Sequence, residues 1–418
     1  MRGTWRWMLR LGVATCAVAA CAVGVARAAL PAAAPAPEGT CQTDGIVRSI
    51  AYSGSVAYLG GNFTHVRPAG VALGGAGTVV RNHLAACDEV TGKVLPWNPG
   101  TDGQVFTLQL SGTRIYVGGK FTTLAGQPRK NIGAVTTSGT ATAFNPGASD
   151  TVYVIRLGPD GHLYAGGLFG SIGGASHRRI AQLTTAGTAT AWNVTVGQVT
   201  GFACPPRCPP VVYTIAFQGS TVYFGGQFGL VNGVARNTAA AVSMSNGHLL
   251  AWNPNIFAAA NCPSCPTVET SRAYTIIPHK TNIFVCGGYW KVNGTKQRFN
   301  IADFDPTSGV VNPGFTIQDD GDTPGCAIRN GILYAGGHFN YGGAGCTPNT
   351  RSTNCSVRHH VLAADTRTNT LLPWNPNANS NHGVYTISAD RTNVGFGGYF
   401  DHFGGRAQQA FAQYRNLP

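Results

Sequence analysis

Seven residues of mixed chemistry occupy one place in a repeated motif. The motif is an apolar run, two glycines, a variable residue and an aromatic residue, as in the stretch from Ile115 to Phe121. The variable residues are Asn62, Lys120, Leu168, Gln227, Tyr289, His338 and Tyr399. Amide, ammonium, imidazole and phenol groups together suit a polar ligand, and in a closed repeat they would ring one mouth of a channel. All except Leu168 are predicted ligand-binding residues, and the alternative is that they are variable, solvated strand ends.

One pair of histidines suggests metal binding. His65 and His402 occupy the same place in the first and last repeat units, which become neighbours if the units close into a ring, and Asp401 adjoins His402. Imidazole and carboxylate groups are common metal ligands. The alternative is a pair of ordinary loop histidines, because no third ligand with matching spacing stands out.

An acidic turn is a second candidate metal site. Asp319, Asp320 and Asp322 lie within residues 318–322, which resemble part of a calcium-binding loop. The stretch lacks the spacing and the terminal Glu of an EF-hand, so a solvated acidic turn is the alternative to calcium. No other cofactor is predicted.

Catalytic residues cannot be assigned from the sequence. The only glutamates are Glu38, Glu89 and Glu269, and aspartates such as Asp44 and Asp102 recur before strands as turn formers. Neither a serine nucleophile elbow nor a His-Glu-x-x-His motif is present. The common hydrolase classes are therefore disfavoured.

A repeat of short strands must position all these residues. The diglycine motif occurs seven times, at spacings of 48 to 62 residues. Each unit starts with an alternating strand such as Val105-Phe106-Thr107-Leu108, carries the diglycine on its second strand, and ends near a Trp-Asn-Pro such as Trp97 to Pro99. Such a period with many glycines is typical of propeller blades. We predict an all-β fold, a seven-bladed β-propeller of four-stranded antiparallel blades.

Scaffold and loops are separable in this repeat. The glycines are expected where neighbouring blades approach closely, and the aromatic residues and tryptophans where blades pack. Long insertions fall between strands two and three and between blades, at one end of the propeller; they are residues 64–82, 196–211, 255–272, 314–324 and 340–358. Binding usually resides in long loops on a rigid scaffold, so this end, the loop-rich face, is the expected binding face.

The first residues have the features of an export signal. Arg2, Arg6 and Arg10 precede an apolar segment that ends in a small-residue cleavage site at Ala26-Arg27-Ala28. We predict a signal peptide over 1–28, an Ala/Pro-rich segment over 29–42, the propeller over 43–418, and secretion or another extracytoplasmic location. A lipid anchor at Cys21, after Val18-Ala19-Ala20, is the alternative. No transmembrane span is expected.

The net charge of the protein only weakly indicates what its binding partners are. Removal of Arg2, Arg6, Arg10 and Arg27 takes the net charge from +13 to +9. Runs of five or more Lys or Arg residues are absent, so nucleic acid is not a predicted partner. An exported basic surface fits an extracellular glycan, a cell-wall polymer or a protein.

Ten cysteines remain after the signal, an even number that indicates disulfides in an exported chain. Two close pairs in insertions are expected to staple loops, with a four-thiolate zinc site or a redox motif as alternatives; they are Cys204 with Cys208 and Cys262 with Cys265. Cys346 and Cys355 bracket one loop. Cys286 and Cys326 are placed to join blades five and six, and Cys41 to meet Cys87.

Two further expectations concern ring assembly. Basic residues before strand three, such as Arg81, and aspartates before strand one, such as Asp44, are expected on one face, some of them paired between blades. The seventh unit has only three strands, so part of residues 30–41 is expected to lie against it as an outer edge strand. A disordered Ala/Pro tether is the alternative.

These motifs resemble the delta-60 repeat propellers of bacterial exported proteins and, more distantly, fungal cell-polarity propellers of the cell cortex. The resemblance covers residues 43–418 and implies a propeller and export, with no catalytic residues to transfer. The tyrosines two residues before the diglycines, such as Tyr58 and Tyr116, and the Trp-Asn-Pro ending depart from kelch repeats.

Two functions follow from the sequence. A binding or surface-interaction module for a glycan or protein, acting through the loop-rich face, is favoured by the weak catalytic signals. The alternative is an exported enzyme, carbohydrate-active for example, with its site at the channel mouth.

Overall fold

The computed structural model describes residues 37–198, 209–257, 271–347, 355–380 and 382–417. Within these ranges the chain forms strands, turns and loops. No helix there is long and apolar enough to cross a membrane. The predicted signal peptide, Cys21, most of segment 29–42, and the cysteines at 204, 208, 262 and 265 lie outside the described residues.

Seven of the antiparallel sheets in the described residues form blades, which we number 1 to 7. Each blade runs in chain order from an inner to a middle to a third strand. The inner strands are Ile46–Ser53, Val105–Ser111, Val152–Leu157, Val211–Gln218, Arg272–His279, Gly325–Arg329 and Val384–Ala389. The middle strands are Val56–Asn62, Arg114–Gly119, Leu163–Gly167, Thr221–Gln227, Asn282–Gly288, Ile332–Gly336 and Asn393–Gly398. The third strands are Leu84–Asp88, Ile132–Thr136, Ile180–Leu183, Ala239–Ser243, Ile301–Phe304, Val361–Asp365 and Phe411–Arg415.

The inner strands close a ring. Each lies against the inner strand of the next blade, and Val384–Ala389 of blade 7 lies against Ile46–Ser53 of blade 1. An antiparallel sheet repeated radially about a channel is a β-propeller, so the predicted fold class is confirmed.

The fourth strand is shorter than the sequence predicts. Blade 6 alone among the described sheets has a named fourth strand, Thr370–Leu371. Blades 1 to 5 reduce it to a single bridge, such as Cys87 with Val94. The chain soon reaches Trp-Asn-Pro, where proline has no N–H to extend the ladder. The predicted fourth strand is therefore present in reduced form, as a bridge in blades 1 to 5 and a two-residue strand in blade 6.

Short hairpins between the middle and third strands build the loop-rich face. Four of them gain a third strand from the chain that enters the blade. The hairpin strands are His65–Arg67 with Val79–Val80, Thr123–Leu124 with Gln127–Pro128, Ser171–Ile172 with Ala175–Ser176, Leu230–Val231 with Val234–Ala235, Lys291–Val292 with Lys296–Gln297, Tyr341–Ala344 with Ser356–Val357, and His402–Phe403 with Arg406–Ala407. The added strands are Gln42–Thr43, Val196–Gly197, Ile317–Asp319 and Ala378–Asn379.

Tryptophan at the end of a blade fastens that blade to the next. The ring of Trp97 packs edge-on against Tyr58 of its own blade, with centroids 5.0 Å apart. Its indole Nε1 donates a hydrogen bond to the carbonyl of Thr136 in blade 2 (3.1 Å). Trp192 makes the equivalent bond to Ser243 at the same distance. The predicted packing role of these tryptophans is confirmed.

Three disulfides are present in the described chain. Cys286 and Cys326 join blades 5 and 6, with Cα atoms 6.4 Å apart. Cys41 and Cys87 tie the entering chain to blade 1, with Cα atoms 6.1 Å apart. Cys346 and Cys355 close one loop. All three predicted pairings are confirmed, and such bonds are typical of oxidising compartments.

The basic and acidic residues near the hairpins share one face, but they do not pair with each other. Asp44 accepts hydrogen bonds from the amides of Thr64 and His65. Arg81 donates instead to the carbonyls of Val80 and Leu95. Within the described residues no ion pair joins these two sets. The pairing prediction is wrong because backbone groups of the same blade satisfy both kinds of side chain.

Asp303, on the third strand of blade 5, is a buried carboxyl whose ionisation should make the stability of the protein depend on pH. Its Oδ2 accepts from Asn282 (2.6 Å) and Asn312 (3.1 Å), while its Oδ1 is buried without a donor in the described chain. Burial raises the pKa of Asp303 to about 6. A raised pKa means that its stabilising contribution is complete below its unfolded pKa of about 4 and is lost as the pH rises through about 6.

Asp303→Asn should therefore stabilise the protein at pH 7.5, by about 2 to 3 kcal/mol, with the gain vanishing near pH 4. Melting temperatures of both proteins between pH 4 and 8 measure this. Asp305→Asn is the matched control. Hydrogen bonds from the Ser308 amide and hydroxyl hold the pKa of exposed Asp305 below its usual value, so that substitution should destabilise at neutral pH. Equal melting curves for Asp303→Asn and wild type at pH 7.5 would contradict the assignment.

Candidate functional site

Six of the seven inner strands carry a bulge that turns one residue toward the channel, whereas the strand pairing in blade 6 is regular. Their pairing with the middle strands shifts at this residue, for example between Val105 and Thr107 and between Val212 and Thr214. Such bulges re-aim a side chain. The residues at this position that line the channel are Arg48, Phe106, Tyr153, Tyr213, Tyr274 and Tyr385, with Pro324 at the matching place in blade 6. We call these seven residues the girdle.

Neighbouring members of the girdle touch around the channel. Ring centroids are 4.7 Å apart for Phe106 and Tyr153, 5.1 Å for Tyr153 and Tyr213, and 5.3 Å for Tyr213 and Tyr274. The Arg48 guanidinium carbon lies 4.9 Å from the Tyr385 centroid and 5.4 Å from that of Phe106. These are cation–π contacts on both sides of one arginine.

The girdle surrounds a cavity large enough for a small ligand. The channel has a cavity of about 480 Å³, lined by the girdle and by the inner strands. Burial raises the pKa of the phenols of Tyr153, Tyr274 and Tyr385, so these groups are neutral hydrogen-bonding hydroxyls at neutral pH. A cavity of this size, with aromatic rings and many polar groups on its wall, can hold a small polar ligand.

Two of the predicted ligand-binding residues border the girdle. The Gln227 Oε1 accepts from Arg272 Nε (3.1 Å), and Arg272 NH1 also reaches the Tyr274 hydroxyl (3.4 Å). His338 Nδ1 lies 2.5 Å from Asp322 Oδ1, and its ring meets the Tyr385 ring edge-on at 5.4 Å. The hydrogen bond to Asp322 raises the pKa of His338.

Three other predicted ligand-binding residues lie elsewhere. Asn62 and Lys120 are exposed and are not among the channel-lining residues. Tyr399 is exposed beside a cleft of about 410 Å³ between blades 7 and 1, which Asp44 and Asn379 also line. We call this cleft the seam pocket.

Tyr289 is not at the mouth, and the prediction for it is wrong. Cys286 pairs with Thr275 as Gly60 pairs with Ser49, so Cys286 stands where other blades have the first glycine. Tyr289 therefore takes the buried aromatic position, is 1% exposed, and donates its hydroxyl to the carbonyl of Val285 (2.7 Å). Cys286 replaces the first glycine because it forms the disulfide with Cys326. The sequence pair Gly287-Gly288 therefore lies one residue later than the diglycine of the other blades.

The predicted metal residues have protein partners. His65 Nδ1 lies 3.0 Å from Asp44, and His402 Nδ1 lies 2.7 Å from Asp401. No group of three or more His, Cys, Asp or Glu side chains placed to hold a metal occurs among the described residues.

Each carboxylate of the acidic turn has its own structural partners. Asp319 is buried and accepts from Thr323 (2.5 Å) and Asn300 (2.9 Å), and burial raises its pKa well above the usual value. Asp320 accepts from the amides of Asn340 and Tyr341 (2.8 and 2.9 Å). Asp322 bonds His338, as described above.

The girdle is what the sequence reasoning missed. The sequence predicts an alternating strand that starts at Val105, and simple alternation does not place Phe106 in the channel. The available signal was the recurrence of an aromatic residue directly after the first apolar residue of the inner strand, seen at Phe106, Tyr153, Tyr213, Tyr274 and Tyr385. The bulge that turns this aromatic residue toward the channel is not associated with a particular residue type, so the sequence does not predict it.

A closed ring of sheets around a lined channel defines the chain as a β-propeller. Neither a family model nor a curated protein matches it. Among solved structures, it is similar to the computationally designed Ika8 protein, with 11% identity over 91% of this chain and 98% of the other and a TM-score of 0.48. It is also similar to the WD40 propeller domain of Doa1, with 11% identity over 91% of this chain and 97% of the other and a TM-score of 0.46. For BamB from Moraxella catarrhalis the identity is 13% over 89% of this chain and 84% of the other, with a TM-score of 0.43.

Proposed function

We propose that the protein is an exported, non-enzymatic binding module that takes up a glycan at the girdle, through the mouth of the channel on its loop-rich face. The observation that carries this proposal is the row of touching aromatic rings from Phe106 to Tyr274 on the channel wall. Export is supported by the disulfides and by the signal-like first residues.

Aromatic walls suit sugars. A pyranose ring presents C–H groups on its faces and hydroxyls on its edge. Tyrosine offers an apolar ring and a polar hydroxyl, so one residue type satisfies both parts of a sugar. The cavity of about 480 Å³ fits the size range of small-ligand sites.

An enzyme at the same mouth is the second candidate, and one observation favours it. His338 and Asp322 form a close imidazole–carboxylate pair at the edge of the girdle. Such a pair can move a proton, but a general base must also reach a substrate proton. If the protein is an enzyme, His338→Asn should abolish turnover while leaving glycan binding within about two-fold of wild type.

Tyr213→Ala tests the proposed site. Loss of one stacking face should weaken glycan binding by about ten-fold, because such aromatic contacts contribute about 1 kcal/mol or more beyond area burial. The measurement is a glycan and cell-wall oligosaccharide array, followed by calorimetry on the strongest hit.

Tyr399→Ala is the matched control, since Tyr399 is on the same face but lies at the seam pocket. Binding lost in Tyr399→Ala and kept in Tyr213→Ala would move the site to the seam pocket. An array without any hit would overturn the proposed function.

A further inference from the structure

The charged side chains that line the channel are all positive. Among the residues that line its cavity, the charged side chains are Arg48 and Arg156, and none is a carboxylate. A cation in a partly enclosed cavity is costly unless an opposite charge or dense hydrogen bonding compensates it.

Arg48 has aromatic neighbours where a carboxylate partner would be expected. It lies between the faces of Phe106 and Tyr385, and its Nε is buried without a hydrogen-bond partner in the described chain. Burial lowers the pKa of Arg48, which shows that the ionised form is poorly solvated. Its planar fork of donors is well matched to a carboxylate or a phosphate.

Arg156 adds a second cation farther along the inner strand of blade 3. Its side chain is exposed, and it lines the channel, so the exposure is to the lumen. Its NH1 donates to the carbonyl of the adjacent Ile155 (3.0 Å). Although its side chain reaches the lumen, desolvation by the surrounding channel walls lowers the pKa of this guanidinium.

Carboxylates at the mouth do not neutralise these cations. Asp322 is bonded to His338. Burial acts to lower the pKa of Arg272 at the rim, but the neighbouring Tyr274 phenol, with smaller contributions from Tyr213 and Asp322, raises it above its usual value. Arg272 in turn is bonded to Gln227 and Tyr274. The rim is therefore internally paired, while Arg48 and Arg156 are not.

We propose that the channel binds a sugar that carries an oxyanion, either a carboxylate or a phosphate. This inference rests on the proposed function and assigns its ligand class. The oxyanion faces Arg48 and Arg156. The order of blades places Tyr213 and Tyr274 across the channel from Arg48, where they offer walls for the sugar ring.

Calorimetry with three matched monosaccharides tests the proposal. Glucuronate or glucose 6-phosphate should bind at least about ten-fold more tightly than glucose, since a charge-assisted hydrogen bond contributes about 1.5 to 3 kcal/mol. Raising the salt concentration should weaken binding of the acidic sugar and leave glucose unaffected. The better of the two acids identifies the oxyanion as carboxylate or phosphate.

Arg48→Gln and Arg156→Gln should each remove most of the preference for the acidic sugar. Arg48→Lys, which keeps the charge without the planar fork, should retain part of it. The matched control is Arg178→Gln, because Arg178 is exposed and lies outside the channel lining. Melting temperatures of all the variants show whether each one is folded.

Three outcomes would overturn the proposal. The first is equal binding of glucose and both acids, which leaves the proposed glycan function standing. The second is an unchanged preference in both arginine variants. The third is inorganic phosphate binding as tightly as glucose 6-phosphate, which would mean that the sugar is not recognised. An array without hits, by contrast, removes the glycan function itself.

Discussion

Gly226→Ala should destabilise the protein by about 3 kcal/mol or more, and lower the melting temperature by about 4 °C or more. A Cβ on Gly226 would lie 1.9 Å from the carbonyl oxygen of Val211, on the inner strand of the same blade. The clashing atom belongs to the backbone, so no side-chain rotation relieves it. The two strands would have to separate at the bulge that turns Tyr213 into the channel.

Gly170→Ala is the control for this prediction. Gly170 follows the aromatic residue of blade 3, and a Cβ there would meet nothing closer than the Ser149 hydroxyl at 3.9 Å. Its melting temperature should stay within about 1 °C of wild type, since uncrowded surface substitutions have small effects. If both variants melted alike, the second glycine of the motif would not be a steric requirement of the blade.

The same crowding shows why the fold was readable from the sequence. A Cβ on Gly166 would lie 2.6 Å from Cγ1 of Val212 in the next blade, so side chains cannot replace glycine there without movement. The same requirement recurs in every blade except blade 5, where Cys286 stands at this position, and it gives the sequence a periodic glycine. Trp97 and Tyr58 leave a similar mark, because their packing is a matter of residue type.

The girdle, which is the proposed binding site, could be predicted less well from the sequence than the fold, for two physical reasons. The girdle depends on bulges, which are backbone irregularities that many residues adopt, so Phe106 and Tyr153 could not be distinguished from ordinary strand residues. Blade 5 replaces a glycine with a disulfide-bonded cysteine, and this displaced Tyr289 from the mouth to the core. Gln227 and His338 stand at the predicted place beside the girdle because their blades keep the regular motif.

Closure of the ring is the other feature with a large expected effect. Residues 38–41 lie along the third strand of blade 7: the Glu38 amide donates to the carbonyl of Gln413 (3.0 Å), and the Arg415 amide donates to the Glu38 carboxylate (2.9 Å). The Thr40 hydroxyl donates to the carbonyl of Phe411 (3.2 Å). The predicted contact with blade 7 is confirmed for these residues, although they do not form a regular strand.

A chain that begins at Cys41 should therefore melt about 5 °C below one that begins at Ala29. The loss of three hydrogen bonds and the exposure of the Gln408 side chain, which donates to Thr40 (2.9 Å), amount to about 4 kcal/mol. Non-reducing mass mapping should show that the bond between Cys41 and Cys87 persists, so that the difference reports the lost edge contacts and not a lost disulfide. Thr40→Val, which removes only the hydroxyl, should lower the melting temperature by about 1 to 2 °C. Equal melting of the long and short chains, with the disulfide intact in both, would show that residues 38–40 do not contribute measurably to closure of the ring.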